Sequence, residues 1–333
     1  MYHSWLDRWD ERRAQRRDAV KEETAFALDA QLAFPSAENA ASIGCFTDLA
    51  EQAVGDATFF DEPEGSDPDF EWQDGWIKFR SSVSTDTDSN NIVWAKVTES
   101  RSKDRVLVIF HHWNASSRYG QIAKYFSSCG STVVQIAMPY HFERCRPASL
   151  YADHMLSPSL GRTIQSVRQA VLDGRTLIRV LQQRGYGEVS VLGMSLGSWV
   201  AGLVAANDLT VKKAVLFLVA GSLADMVWTG RATRHIRASL EDQINLAQLG
   251  RAWSPLNLEN YTDRLARTDL DLKIVLAQRD TVVLPELSKR LTAKLKEAGA
   301  RADVLELNCG HYSLSLPPYI IRAGFSASRL LNR

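Results

Sequence analysis

At 333 residues, 45% hydrophobic and 23% charged, the chain has the composition of an ordinary globular protein and the length to bury a substantial core in one or two domains. Its 39 Lys and Arg balance 39 Asp and Glu, which gives no support to nucleic-acid binding, since that leaves a basic excess or a basic face. No apolar run approaches about 18 residues, so no membrane span is expected, and Cys45, Cys129, Cys145 and Cys309 are too scattered for a zinc or redox motif.

The first residues, from Trp5 to Ala33, carry mixed charge with Trp5, Trp9, Phe26 and Leu32 interspersed, a pattern that predicts one long, partly amphipathic helix packed on the main domain. This stretch lacks the apolar core of a signal peptide, and with unpaired cysteines the expectation is a cytoplasmic protein. "DEPEGSDPD" (Asp61 to Asp69) reads as a solvated linker. The division expected is a helical extension and linker over residues 1–74, followed by a main domain over 75–333. Trp76–Val83 and Ile92–Val97 predict an antiparallel hairpin.

Beyond the hairpin, short β-branched runs alternate with helical patterns. "RVLVIF" (Arg105–Phe110), "TVVQIA" (Thr132–Ala137), "EVSVLG" (Glu188–Gly193), "KAVLFLVA" (Lys213–Ala220), "LKIVLAQ" (Leu272–Gln278) and "DVLELN" (Asp303–Asn308) read as strands, with helices near 116–128, 159–184, 196–206 and 285–298. The fold class expected is α/β, a mostly parallel central sheet covered by helices on both faces. Residues of about 221–268 form a connection far longer than the usual 2 to 6 or so residues and are expected to be an insertion. "RQAVLDGRTLIR" (Arg168–Arg179) is expected to form surface ion pairs, and Arg231, Arg234 and Arg237, every third residue, would share one helix face, either solvated or clamping a substrate anion.

Sites on a parallel sheet form at the carboxyl ends of its strands. Four groups stand there: His111-His112-Trp113, Ser195, Asp280 and His311. Ser195 sits in "GMSLG", where a strand turns directly into a helix; such a bend strains its central residue and demands small neighbours, here Gly193 and Gly197. The bend directs the backbone N–H of Leu196 and a helix N-terminus toward the serine's reaction partner. A serine needs a base, and the base an orienting acid; Asp280 and His311 follow later strands.

The order Ser195, Asp280, His311, each after a strand, resembles the α/β-hydrolase superfamily over roughly residues 75–333. The resemblance implies Ser195 as nucleophile, His311 as base and Asp280 as the acid, with Asp225 as rival acid. It also implies an oxyanion hole from the N–H groups of Leu196 and Trp113, and a helical cap at the insertion. His112 stands where the family commonly has glycine, a departure that narrows the site or shifts the loop. His111, His112, Met194 and Trp228 are candidates to line the substrate pocket, with Trp113, Trp253 and "MPYHF" (Met138–Phe142) as further wall.

Each residue also has a structural reading. Ser195 could be a small turn residue, Asp280 a helix cap or turn stabiliser, His311 a hydrogen-bonded structural histidine and His111 a loop stabiliser; His112, His141, His154 and His235 read as packing or surface groups, and the aromatics as cap packing. The function expected is a serine hydrolase acting on a carboxylic ester, with neither metal nor organic cofactor and with a small-molecule acyl ester as partner. An acyltransferase, thioesterase or peptidase would use the same triad, and a hydrolase-like binding protein would use none of it.

Overall fold

A computed structural model describes residues 2–34, 42–61, 68–147 and 149–333. Most of the acidic stretch expected to be a linker therefore lies outside the described residues. Among the described residues, three helices precede the sheet: α1 (Tyr2–Asp18), α2 (Ala30–Ala33) and α3 (Ile43–Gly55). The strands are β1 (Phe70–Gln73), β2 (Trp76–Arg80), β3 (Ile92–Thr98), β4 (Arg105–Phe110), β5 (Thr132–Ile136), β6 (Glu188–Met194), β7 (Val211–Phe217), β8 (Asp271–Ala277) and β9 (Ala302–Leu307). They form one nine-stranded sheet in the order β1-β2-β3-β5-β4-β6-β7-β8-β9.

From β5 to β9 all neighbours are parallel, while β1, β2 and β3 add an antiparallel edge. The parallel strands β4 to β8 are buried almost throughout, as continuous apolar runs require when both faces are covered. The expected hairpin is present as β2 and β3. The additional strand β1 joins β2 through Asp74 (φ 52°) and Gly75 (φ 71°), two consecutive left-handed residues that make the tight hairpin turn.

On one face lie α4 (Gly120–Ser128) and α12 (Tyr319–Leu331), packed with Leu6 of α1 against Leu107, Ile109, Leu192, Val215 and Val275. The opposite face carries α5 (Leu160–Gln183), α6 (Leu196–Asn207) and α11 (Pro285–Glu297), together with α7 (Leu223–Thr229), α8 (Arg234–Leu240), α9 (Leu246–Ala252) and α10 (Thr262–Leu265) from the long β7–β8 connection. That connection is packed into the main core: Trp253 is 1% exposed and its indole N–H donates to Leu160 O at 3.3 Å. The expectation that Trp253 walls a substrate pocket is thus corrected; it is a core residue. Met138, Tyr140 and His141 of the "MPYHF" loop are likewise buried.

Three further expectations are revised. The first helix ends at Asp18 rather than continuing to Ala33. The segment after it gives its carbonyls to the start of α5 instead, Leu160 N and Gly161 N donating to Ala27 O and Leu28 O at 2.9 Å each, which satisfies N–H groups that a helix start leaves orphaned. Asp173, expected in a surface ion pair, is fully buried against Arg144 at 2.8 Å, and Arg144 also donates to the carbonyls of Asn90 and Ala137. Arg231 lies in a 3-10 turn before α8 and pairs with Glu11, whereas Arg237 pairs with Glu241 at 2.8 Å. Two of the three arginines are therefore paired within the protein, and no three-arginine clamp is assembled.

Candidate functional site

The sheet delivers its chemistry to one edge. Ser195 follows β6, and its backbone N–H donates to Phe217 O at 2.9 Å, extending the β6–β7 ladder by one rung. It has φ 52° and ψ −123°, which a non-glycine residue adopts only at a cost of about 1–3 kcal/mol. The turn is possible because its neighbours are small: a Cβ on Gly193 would lie 2.3 Å from Gly197 O, and one on Gly197 would lie 2.3 Å from Phe110 O. Leu196 is the first residue of α6, so its N–H is among those a helix leaves without an internal partner. Of the seven non-glycine residues with positive φ among the described residues, five (Asn114, Tyr140, Phe142, Ser195 and Leu218) lie just past the carboxyl ends of β4 to β7. Such strain concentrates where a fold over-determines its functional loops.

Asp280 follows β8 and is 4% exposed. Its Oδ1 accepts the N–H groups of Val282 (2.7 Å) and Val283 (2.9 Å), the turn-capping role foreseen for it. Its Oδ2 accepts from His311 Nδ1 at 2.7 Å, so the aspartate caps a turn and also orients the imidazole. With Nδ1–H committed to the carboxylate, Nε2 is the nitrogen that can accept a proton. The histidine side chain is 9% exposed, and Ser195 and Met194 are half-buried. Asp225 is not at this point: on α7 it pairs with Arg290. Cys309, two residues before His311, is buried, and burial followed by the charges of Asp10 and Asp280 pushes its thiol up to about 12, which keeps it protonated and unreactive.

The loop after β4 is fixed by two buried histidines. His111 donates from Nδ1 to His112 O (2.9 Å) and accepts the Met138 N–H at Nε2 (3.1 Å); His141 donates to Pro139 O (2.8 Å) and accepts the Asn114 N–H (3.0 Å). Burial lowers His111 well below the usual histidine range and His141 to about 4, so both are neutral and each ring has one donor and one acceptor in use. His111 is thus a buried, loop-holding group, as its structural reading has it.

His112, the residue in place of glycine, stacks on Tyr119 at 5.8 Å and leaves Nε2 buried without a hydrogen-bond partner. Burial, then the positive charge of Arg17, depresses it to about 3. The Trp113 side chain turns to other partners: its N–H donates to Ala152 O at 2.9 Å, its ring stacks on His235 at 6.0 Å and the Lys21 ammonium sits 5.0 Å over it. Trp228 carries the Arg237 guanidinium 5.4 Å over its ring and makes no hydrogen bond or ring contact with Ser195, Asp280 or His311.

Asp7 and Asp10 of α1, which sequence reasoning did not single out, also reach this edge: Asp7 pairs with Arg279, and Asp10 accepts from Tyr312 N and Ser313 N. Among the described residues no cluster of His, Cys, Asp or Glu is placed to hold a metal ion, and no helix is long and apolar enough to cross a membrane.

No protein-family model matches the sequence and no curated protein does. Solved structures do. Acetyl xylan esterase 1 from Thermoanaerobacterium sp. superposes with a TM-score of 0.61 at 15% identity, over 96% of this chain and 98% of that one. Acetyl xylan esterase from Paenibacillus sp. R4 gives 0.55 at 13% identity over 91% and 99%, and the Pyrococcus furiosus esterase Pf2001 gives 0.55 at 13% identity over 79% and 93%. A sheet of this order, a strained serine between β6 and α6, and these superpositions agree: the chain has the α/β-hydrolase fold.

Proposed function

We propose that the protein is a serine hydrolase that cleaves carboxylic esters through an acyl-enzyme, with Ser195, His311 and Asp280 as its triad. The observation that carries the reading is the 2.7 Å hydrogen bond from His311 Nδ1 to Asp280 Oδ2, at the same sheet edge as a serine held at φ 52°. Ser195 Oγ attacks the acyl carbon while His311 Nε2 takes its proton, and Asp280 stabilises the imidazolium. The N–H groups of Leu196 and Trp113 hold the oxyanion, an interaction worth about 3 kcal/mol per donor. As the tetrahedral adduct collapses, the C–O bond to the alcohol breaks and His311 returns the proton to the leaving oxygen. Water then attacks the acyl-serine, with His311 as base again, releasing the carboxylic acid and restoring the serine.

Solved esterases with the same fold support an ester as the substrate class. The test is labelling with a fluorophosphonate probe, wild type beside Ser195→Ala, together with hydrolysis of p-nitrophenyl acetate. Labelling and turnover in the wild type and neither in the variant are expected. An unlabelled wild type, or equal labelling of both, overturns the assignment of Ser195.

A further inference from the structure

α1 has little hydrophobic reason to lie where it does. Of its 17 residues only Leu6 and Ala14 are buried, too few to make an apolar stripe. It is held chiefly by polar contacts, and two of these fall on the loops that carry the histidine and the acid. Asp10 Oδ1 accepts the backbone N–H of Tyr312 (2.7 Å) and of Ser313 (2.9 Å), and its Oδ2 accepts from Ser313 Oγ. Ser313 Oγ in turn accepts the N–H of Gly310 at 2.8 Å. One carboxylate thus ties down residues on both sides of His311. Gly310 is required for this approach, since a Cβ there would lie 2.4 Å from Asp10 Oδ2. One turn earlier on the helix, Asp7 pairs with Arg279 at 2.8 Å, the residue before Asp280.

We infer that α1 is a working part of the catalytic apparatus: Asp10 is a positioning residue for the His311 loop, and Asp7, through Arg279, is one for the acid loop. The inference rests on the serine-hydrolase reading for its catalytic meaning. Its physical content is that the two loops are fixed relative to each other by a common rigid element. Without α1, the His311–Asp280 contact would depend on two neighbouring strand ends and the single backbone bond between the loops, from Arg279 N–H to Cys309 O at 3.0 Å. A helix is a stiff ruler over one turn, so the Asp7-to-Asp10 spacing sets the spacing of the two loops. Displacements of about 1 Å at such positions cost up to about 100-fold in rate.

The test uses the full chain with Asp10→Ala, the milder Asp10→Asn, Asp7→Ala, and Arg12→Ala as a control at an exposed position of the same helix. Four readouts are taken: kcat and KM for p-nitrophenyl acetate, the pH profile of kcat/KM, the rate of fluorophosphonate labelling, and the downfield imidazole N–H proton of His311 in one-dimensional NMR. Asp10→Ala is expected to lower kcat and labelling by about 10- to 100-fold with little change in KM, and to broaden the His311 resonance. Arg12→Ala is expected to leave all four unchanged.

Asp10→Asn keeps an oxygen for Tyr312 and Ser313 and loses only the acceptor for Ser313 Oγ, so a smaller fall in kcat is expected; it carries the test if the alanine variant does not fold. A folded Asp10→Ala or Asp10→Asn protein with unchanged kcat and an unchanged His311 resonance overturns the inference, whatever its loss of stability. The NMR signal also separates the two readings. A wild type that the probe does not label refutes the hydrolase assignment, while the response of the resonance to Asp10 still decides the role of α1.

Discussion

Asp280→Asn is the substitution whose effect the structure constrains most tightly. Asp280 Oδ1 already accepts two backbone N–H groups, from Val282 and Val283, while Oδ2 faces His311 Nδ1. An asparagine amide can enter this site in only one orientation, because turning its NH2 toward the two N–H donors would set donors against donors. Its oxygen therefore keeps the backbone and its NH2 faces the imidazole. His311 must then accept at Nδ1 and carry its proton on Nε2, the tautomer that cannot take a proton from serine. The expected loss in kcat is about 10⁴-fold, or about 5.4 kcal/mol of transition-state stabilisation, with KM and the circular-dichroism spectrum near wild type. Initial rates with p-nitrophenyl acetate from pH 6 to 9 measure it. A kcat within tenfold of wild type, or a comparable collapse in Asp225→Asn, would refute this assignment of the acid.

Gly197→Ala brings a Cβ to 2.3 Å from Phe110 O and 2.4 Å from His111 O, so α6 must withdraw from β4; a fall in kcat/KM of about 10²-fold is expected, and unchanged kinetics would contradict the packing of the serine turn. Asp173→Ala leaves the fully buried Arg144 without its counter-charge and is expected to cost about 3–5 kcal/mol in urea unfolding, a cost below 1 kcal/mol by the same rough scale being the refuting result. Stability should also fall on mild acidification. His112, His141 and His235 have folded-state values of about 3, about 4 and about 4, below the unfolded value. The unfolded chain binds more protons as pH falls below about 6.5, and each such histidine steepens the loss toward about 1.4 kcal/mol per pH unit. A Tm that does not change from pH 7 to 5 would show that these rings are not held neutral.

Much of the sheet was legible because parallel strands buried on both faces must be continuous apolar runs, as β4 to β8 are, and each of the six runs from Arg105 to Asn308, the largely exposed edge strand β9 included, is a strand within a few residues of its expected ends. The serine turn was legible for the same reason that makes it strained: only glycine fits beside it at 193 and 197. What escaped notice depends on pairings that leave no periodic trace. α1 is fixed by single carboxylates on distant loops, and Asp173 meets its arginine through a loop 29 residues away. An aspartate that caps a buried turn and one that faces water look alike in a sequence. The Asp74–Gly75 turn did carry a signal, a two-residue hairpin dipeptide between Trp72 and Trp76, which the acidic composition just before it obscured.

The backbone of Ser195 has one more implication. At φ 52° and ψ −123° the position favours glycine, and replacing serine by glycine would relieve about 1–3 kcal/mol of conformational strain against about 0.4–1 kcal/mol of added freedom in the unfolded chain. Ser195→Gly should therefore melt above the wild type while doing no chemistry. Selection for stability alone would remove the hydroxyl, and its presence at this bend is what a requirement for reactivity looks like in the energetics of the fold.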